Sequence, residues 1–183
     1  FHLLAQTLQN NLVNEEFENA HQTLDQIDQV CGLSFWSIEA RIALFQLQSG
    51  LDRHKAYVGV VHDGAPGSMA TYVAFMASRR NEEASSAIGF QKDLESQLVD
   101  YGIAEDFAKY LRYRLTGAIS EVEDCAAILA FELSASLVDL YEAFIATLTF
   151  VASRSAELTL FKFLKPLLNI GDARLNKIGF LLG

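Results

Sequence analysis

Four large apolar residues, Leu4, Trp36, Tyr72 and Phe107, each fall early in a predicted helix and recur at a loose interval of about 35 residues. An interval of that length holds one amphipathic helix pair. A chain built from such pairs is confined to helix-on-helix packing, because each pair buries its apolar stripe against the next. Stacked pairs usually present surfaces to partners rather than house chemistry.

The pattern is legible along the chain. Helix one is predicted over Leu3 to Leu12. In helix two, Phe17, Ala20, Leu24 and Ile27 form one apolar stripe at helical spacing. Asn14 reads as its N-cap, with Glu15, Glu16 and Glu18 at the positive end of the helix. Gly32 ends it. Ser34 caps a third helix carrying Trp36, Ala40 and Leu47, and Gly50 stops that one. A shorter helix follows from Leu51 to about Val61; Tyr57–His62, the one strand candidate, also extends this helix. His62-Asp63-Gly64-Ala65-Pro66-Gly67 is the clearest loop. Ser68 then caps a helix through Arg80, Asn81 caps one from Glu82 to about Val99, and Ala104 to Leu115 forms another ended by Gly117. Ser120-Glu121-Val122-Glu123 reads as a capping box opening a long apolar helix over 121–152, with a break or bend placed near Ser134-Ala135-Ser136. The tail carries a helix from about Ser155, bent or ended before Pro166, and a last one started by Asp172.

The first two helices resemble a tetratricopeptide repeat. Leu4, Leu8, Phe17, Ala20, Leu24 and Ile27 match that family's alternation of large and small positions, and Glu15-Glu16-Phe17-Glu18-Asn19-Ala20 resembles its entry into the second helix of a pair. Trp36, Ala40 and Ala56, then Tyr72, Ala84 and Phe90, continue it less regularly, and a fourth pair begins at Phe107. Gly32 stands where the family usually has a proline. The resemblance spans about the first 115 residues and implies a scaffold whose concave face binds a peptide or protein segment, without enzymatic activity.

The expected fold is therefore all-α, with antiparallel helix pairs stacked as a solenoid in a single all-helical domain over 1–183. Repeat-like pairs occupy 1–118; the long apolar helix and capping helices occupy 119–183. An irregular compact helical bundle is the alternative. The helix over 121–152 also offers a homodimer contact.

Composition narrows the function classes. The chain is 51% apolar and 20% charged, with a formal net charge of -9. Nucleic acid is disfavoured, because its phosphates must be met by clustered Lys and Arg. An anionic membrane surface is disfavoured for the same reason. Glu132, Asp139 and Glu142 interrupt the most apolar run and argue against a membrane span. Cys31 and Cys125, both inside predicted helices, read as buried free thiols. Their scarcity, with no signal-peptide pattern at Phe1, points to a reducing, cytoplasmic setting.

No motif carries obvious chemistry. His2, His21, His54 and His62 include no pair at i, i+4 that would set two imidazoles on one face for a metal. There is no Glu-x-x-His, phosphate-binding glycine loop or Gly-x-Ser-x-Gly. No cofactor or metal is expected, and the protein reads as a non-enzymatic protein-interaction module. Its candidate partner-binding residues are Lys109, Arg112 and Tyr113, with Arg79 and Arg80 as a second basic pair. In so acidic a chain such an island suits an acidic peptide or a carboxylate terminus. Two other readings stand beside it. One is a ligand-sensing or regulatory domain, dimeric in one form, with an apolar pocket lined by Phe131, Phe144, Leu148 and Phe150. The other is a helical enzyme resting on His54, His62, Asp139 and Glu142.

Overall fold

The computed structural model describes residues 1–82, 86–154 and 171–182 and places ten helices among them. These are α1 (His2–Val13), α2 (Phe17–Cys31), α3 (Phe35–Ser49), α4 (Leu51–Gly64), α5 (Met69–Asn81), α6 (Ala87–Asp100), α7 (Glu105–Thr116), α8 (Asp124–Glu132), α9 (Leu137–Arg154) and α10 (Ala173–Leu182). The described residues contain no strand, so the all-α class holds. No helix among them is long and apolar enough to cross a membrane.

The predicted stripes become the core. Ala20, Leu24 and Ile27 of α2 are fully buried, and the first two pack with Leu8 of α1 and Leu44 of α3. Ile38 and Ile42 of α3 pack with Val61 of α4 and with Ala74 and Ala77 of α5. A larger cluster joins α5 through α9 around Met76, Leu94, Leu111, Leu115 and Ile128. Ile145 and Leu148 of α9 close over Leu175 and Ile178 of α10.

Helices mostly touch their chain neighbours, but α3 also packs against α5 and against α9. The last contact joins Phe35 to Asp139, 104 positions apart. A linear stack with only neighbour contacts would not make it. As a result α3, α5, α7 and α9 converge on one interior.

Several local expectations are corrected. Asn14 does not cap α2. It ends α1, and the chain turns through Glu15 at φ 60°. The amides of Glu15 and Glu16 donate back to Leu12 O and Asn11 O, the two bonds of a Schellman close. Asn81 is the last residue of α5, and the next helix starts later, where the Ser86 hydroxyl accepts from the Gly89 amide. Tyr57–His62 is helical throughout.

The break expected near Ser134-Ala135-Ser136 is present: the 121–152 segment forms two helices, α8 and α9, interrupted at 133–136. Ser120 caps nothing. Asp124 opens α8, and its carboxylate accepts from the Glu121 amide. A second capping pair restarts the chain at α9: the Asp139 amide donates to the Ser136 hydroxyl, which donates in turn to the Asp139 carboxylate. The helix expected from Ser155 to Pro166 lies outside the described residues.

Candidate functional site

Two features stand out, a buried charge cluster and an uncharged surface groove. The cluster forms where α3, α7, α8 and α9 meet. On α7, Leu111, Arg114 and Leu115 share the inward face, so one guanidinium is carried into the core. Arg114 Nη1 donates to Glu132 Oε1 at 3.2 Å and to Asp139 Oδ1 at 3.1 Å, and Nη2 donates to Glu39 Oε2 at 3.2 Å. Its charged carbon lies 5.6 Å from the centre of the Phe35 ring. Arg80 of α5 reaches the same place, donating to Leu115 O at 2.7 Å with a second nitrogen 3.9 Å from Glu39.

Asp139 does double duty. Besides holding Arg114, its carboxylate accepts the amides of Phe35 and Trp36 at 2.9 and 2.8 Å. A carboxylate there satisfies free amides at the start of α3 and meets the positive end of that helix.

Three carboxylates face two guanidiniums in this cluster, so one negative charge is in excess. Glu132 is the deepest, with 0% of its surface exposed, and its Oε2 has no hydrogen-bond partner among the described residues. Burial raises the pKa of its carboxyl above the usual range, against the pull of Arg114 and with the push of Asp139. For Arg114 burial works against the charge, but Glu39, Asp139 and Glu132 outweigh it and raise the pKa further.

The groove borders the first turns of α5. Ser68 starts that helix, its hydroxyl accepting from the Thr71 amide. Across from it, α6 ends in a Schellman close: the Gly102 amide donates to Val99 O and the Ile103 amide to Leu98 O. Gly102 sits at φ 59°, where a side chain would be strained. This turn sets Tyr101 and Ile103 beside Met69, Tyr72, Phe107 and Leu111, around a cleft of about 380 Å³. A second cleft of about 570 Å³, lined by Val58, Gly59, His62 and Phe75, shares Gly67, Ser68 and Tyr72 with the first. The two adjoin at these shared residues, and no Asp, Glu, Lys or Arg lines either. Tyr101 is 78% exposed in the first lining and Phe75 50% in the second, so each cleft presents aromatic surface to solvent. Behind the groove, Phe107 packs on Tyr110 and Phe131, with ring centres 5.9 and 5.2 Å away.

The residues singled out from sequence fall elsewhere. Arg112 is bound to Glu95 through two hydrogen bonds of 2.8 and 2.9 Å, which raise its own pKa and lower that of Glu95. Lys109 lies 3.3 Å from Asp124, Arg79 pairs with Asp93 at 2.8 Å, and Tyr113 is buried. Lys109 and Arg112 do line one polar cleft of about 330 Å³, but it also holds Glu105, Glu121, Glu123 and Asp124. Arg79 and Arg80 face other partners.

The pocket expected from Phe131, Phe144, Leu148 and Phe150 is not assembled. Phe131 stacks on α7, Phe144 and Leu148 pack towards α10, and Phe150 lies under Arg154 at 4.9 Å. His54, His62, Asp139 and Glu142 are likewise dispersed. His54 is fully buried on α4 with neither ring nitrogen bonded, and burial lowers its pKa. His62 edges the groove, Asp139 holds Arg114, and Glu142 is bound by Arg174. Among the described residues no group of three or more His, Cys, Asp or Glu could hold a metal ion.

No family model matches this chain, and no curated protein or solved structure does either.

Proposed function

We propose that this chain is a non-enzymatic protein-interaction module that binds a partner segment in the groove around Tyr72. The observation that carries the reading is the groove itself, two adjoining clefts beside α5 whose linings hold no Asp, Glu, Lys or Arg and include the exposed Phe75 and Tyr101. Partly exposed aromatic residues on a frame of packed helices suit a binding surface. The helix-pair spacing that resembles tetratricopeptide repeats supports the same class of function. The partner contact moves from the basic island to the groove because the island's cations are already paired with carboxylates of the same chain.

The test is affinity capture from the native lysate with three baits: wild type, Phe75→Ala/Tyr101→Ala, and Arg112→Glu. A stoichiometric partner lost only with the double variant supports the groove. A partner lost only with Arg112→Glu returns the contact to the basic island. A second reading keeps the groove but fills it with a small apolar ligand, because 380 Å³ lies within the usual size of ligand pockets. A purified chain whose melting temperature rises with an apolar compound, and does not in the double variant, would favour it.

A further inference from the structure

Charge around the groove says what kind of segment it receives. We infer that the occupant is an amphipathic helix of a partner protein, with an apolar face and basic flanks; this rests on the groove reading above. The floor is uncharged and set between helices, as in recognition of a helix by a hydrophobic groove. Two exposed aspartates adjoin lining residues in the chain: Asp63 follows His62 and Asp100 precedes Tyr101. The cations nearest in sequence are engaged or face elsewhere. Lys55 lies 3.3 Å from Glu82, Arg79 is held by Asp93, Lys109 by Asp124 and Asp106, and Arg112, which follows Leu111, by Glu95 and Glu105. A basic flank therefore meets Asp63 and Asp100, which no salt bridge among the described residues engages, and an acidic flank meets repulsion, in a molecule already at net charge -9. This reverses the sign of the partner expected from the sequence.

The experiment uses two labelled peptides of about 18 residues, five helical turns. Both carry leucines at i, i+3, i+4 and i+7; one has a lysine polar face and the other a glutamate one. Binding to the full chain is read by fluorescence anisotropy at low and high salt. The expected result is binding of the lysine peptide about tenfold tighter or more than the glutamate peptide, a gap that narrows with salt because exposed charges are screened. That preference should shrink in Asp63→Lys/Asp100→Lys, and binding should be lost in Phe75→Ala/Tyr101→Ala. All four substituted residues are exposed, and unchanged melting curves will confirm that the variants fold. Equal binding of both peptides, abolished by the groove variant, overturns the charge inference and leaves the groove reading standing. Lysine-peptide binding that survives the groove variant is surface attraction and overturns the inference. Failure of both peptides overturns the groove reading and this inference with it.

Discussion

Arg114 and Glu132 show how a single ion group can be essential and imperfect at once. Among the described residues Arg114 is the only cation hydrogen-bonded to the Glu132 and Asp139 side chains, so its removal strands two buried carboxylates. Replacement by Met should destabilise the fold by about 3–5 kcal/mol, measured by urea unfolding, because an unpaired buried charge is left behind. Glu132→Gln should behave oppositely. It removes the excess negative charge and keeps a donor or acceptor in place, so at neutral pH its stability should equal or exceed wild type.

The pH dependence separates the two effects. The Glu132 pKa is raised in the folded protein, so between its ordinary value and that raised value the folded state holds a proton the unfolded state has lost. Stability from this group is therefore present at low pH and falls as pH rises through that window. The gain in unfolding free energy of Glu132→Gln over wild type should grow with pH above about 4.5. A gain independent of pH would sink the account.

At the scale of the element, helix ends decide more than helix interiors. Glu15 occupies the left-handed position of the Schellman close that ends α1, the position glycine normally takes. An L side chain there is strained, so Glu15→Gly should raise stability by about 1 kcal/mol, partly offset by the freer unfolded chain. A thermal melt of the purified variant checks the sign; a loss would mean that the Glu15 side chain makes a favourable interaction absent from its turn geometry.

The α8–α9 break follows the same logic. Ser136-Leu137-Val138-Asp139 is itself a Ser-x-x-Asp start signal ahead of an apolar run. It places Asp139 in the first turn of α9, from where its carboxylate reaches both Arg114 and the start of α3. A continuous helix over 121–152 would carry no such cap.

For the whole molecule, the closure of α3 on α9 makes distant segments interdependent. Trp36 is the single tryptophan, and its amide donates to Asp139. Its fluorescence therefore reports on that closure, while circular dichroism reports on all the helices. The two urea-unfolding curves should coincide, because opening the closure also breaks the buried ion group. A tryptophan transition that precedes the loss of helix would show that the two ends of the chain separate before the helices melt.

The sequence alone determined what depends on near neighbours. The helical period of Ala20, Leu24 and Ile27, the Ser34 and Ser68 caps and the glycine stops all act within one or two turns, so they are readable from a short window. The all-α class follows from them. Tertiary structure decided the rest. Arg114 stands among Lys109, Tyr110, Arg112 and Tyr113, and nothing local separates the buried guanidinium from the surface ones. Its carboxylate partners lie 75, 18 and 25 positions away. The one visible hint was the intrusion of Glu132 and Asp139 into apolar helices. The groove was equally hidden, because Tyr72 and Phe107 come from two helices and Tyr101 from the turn after a third, and their meeting depends on how the chain folds back between them. Side-chain period is a local property of the backbone; which charge is neutralised, and which aromatic surface stays uncovered, depends on what the rest of the chain brings against it.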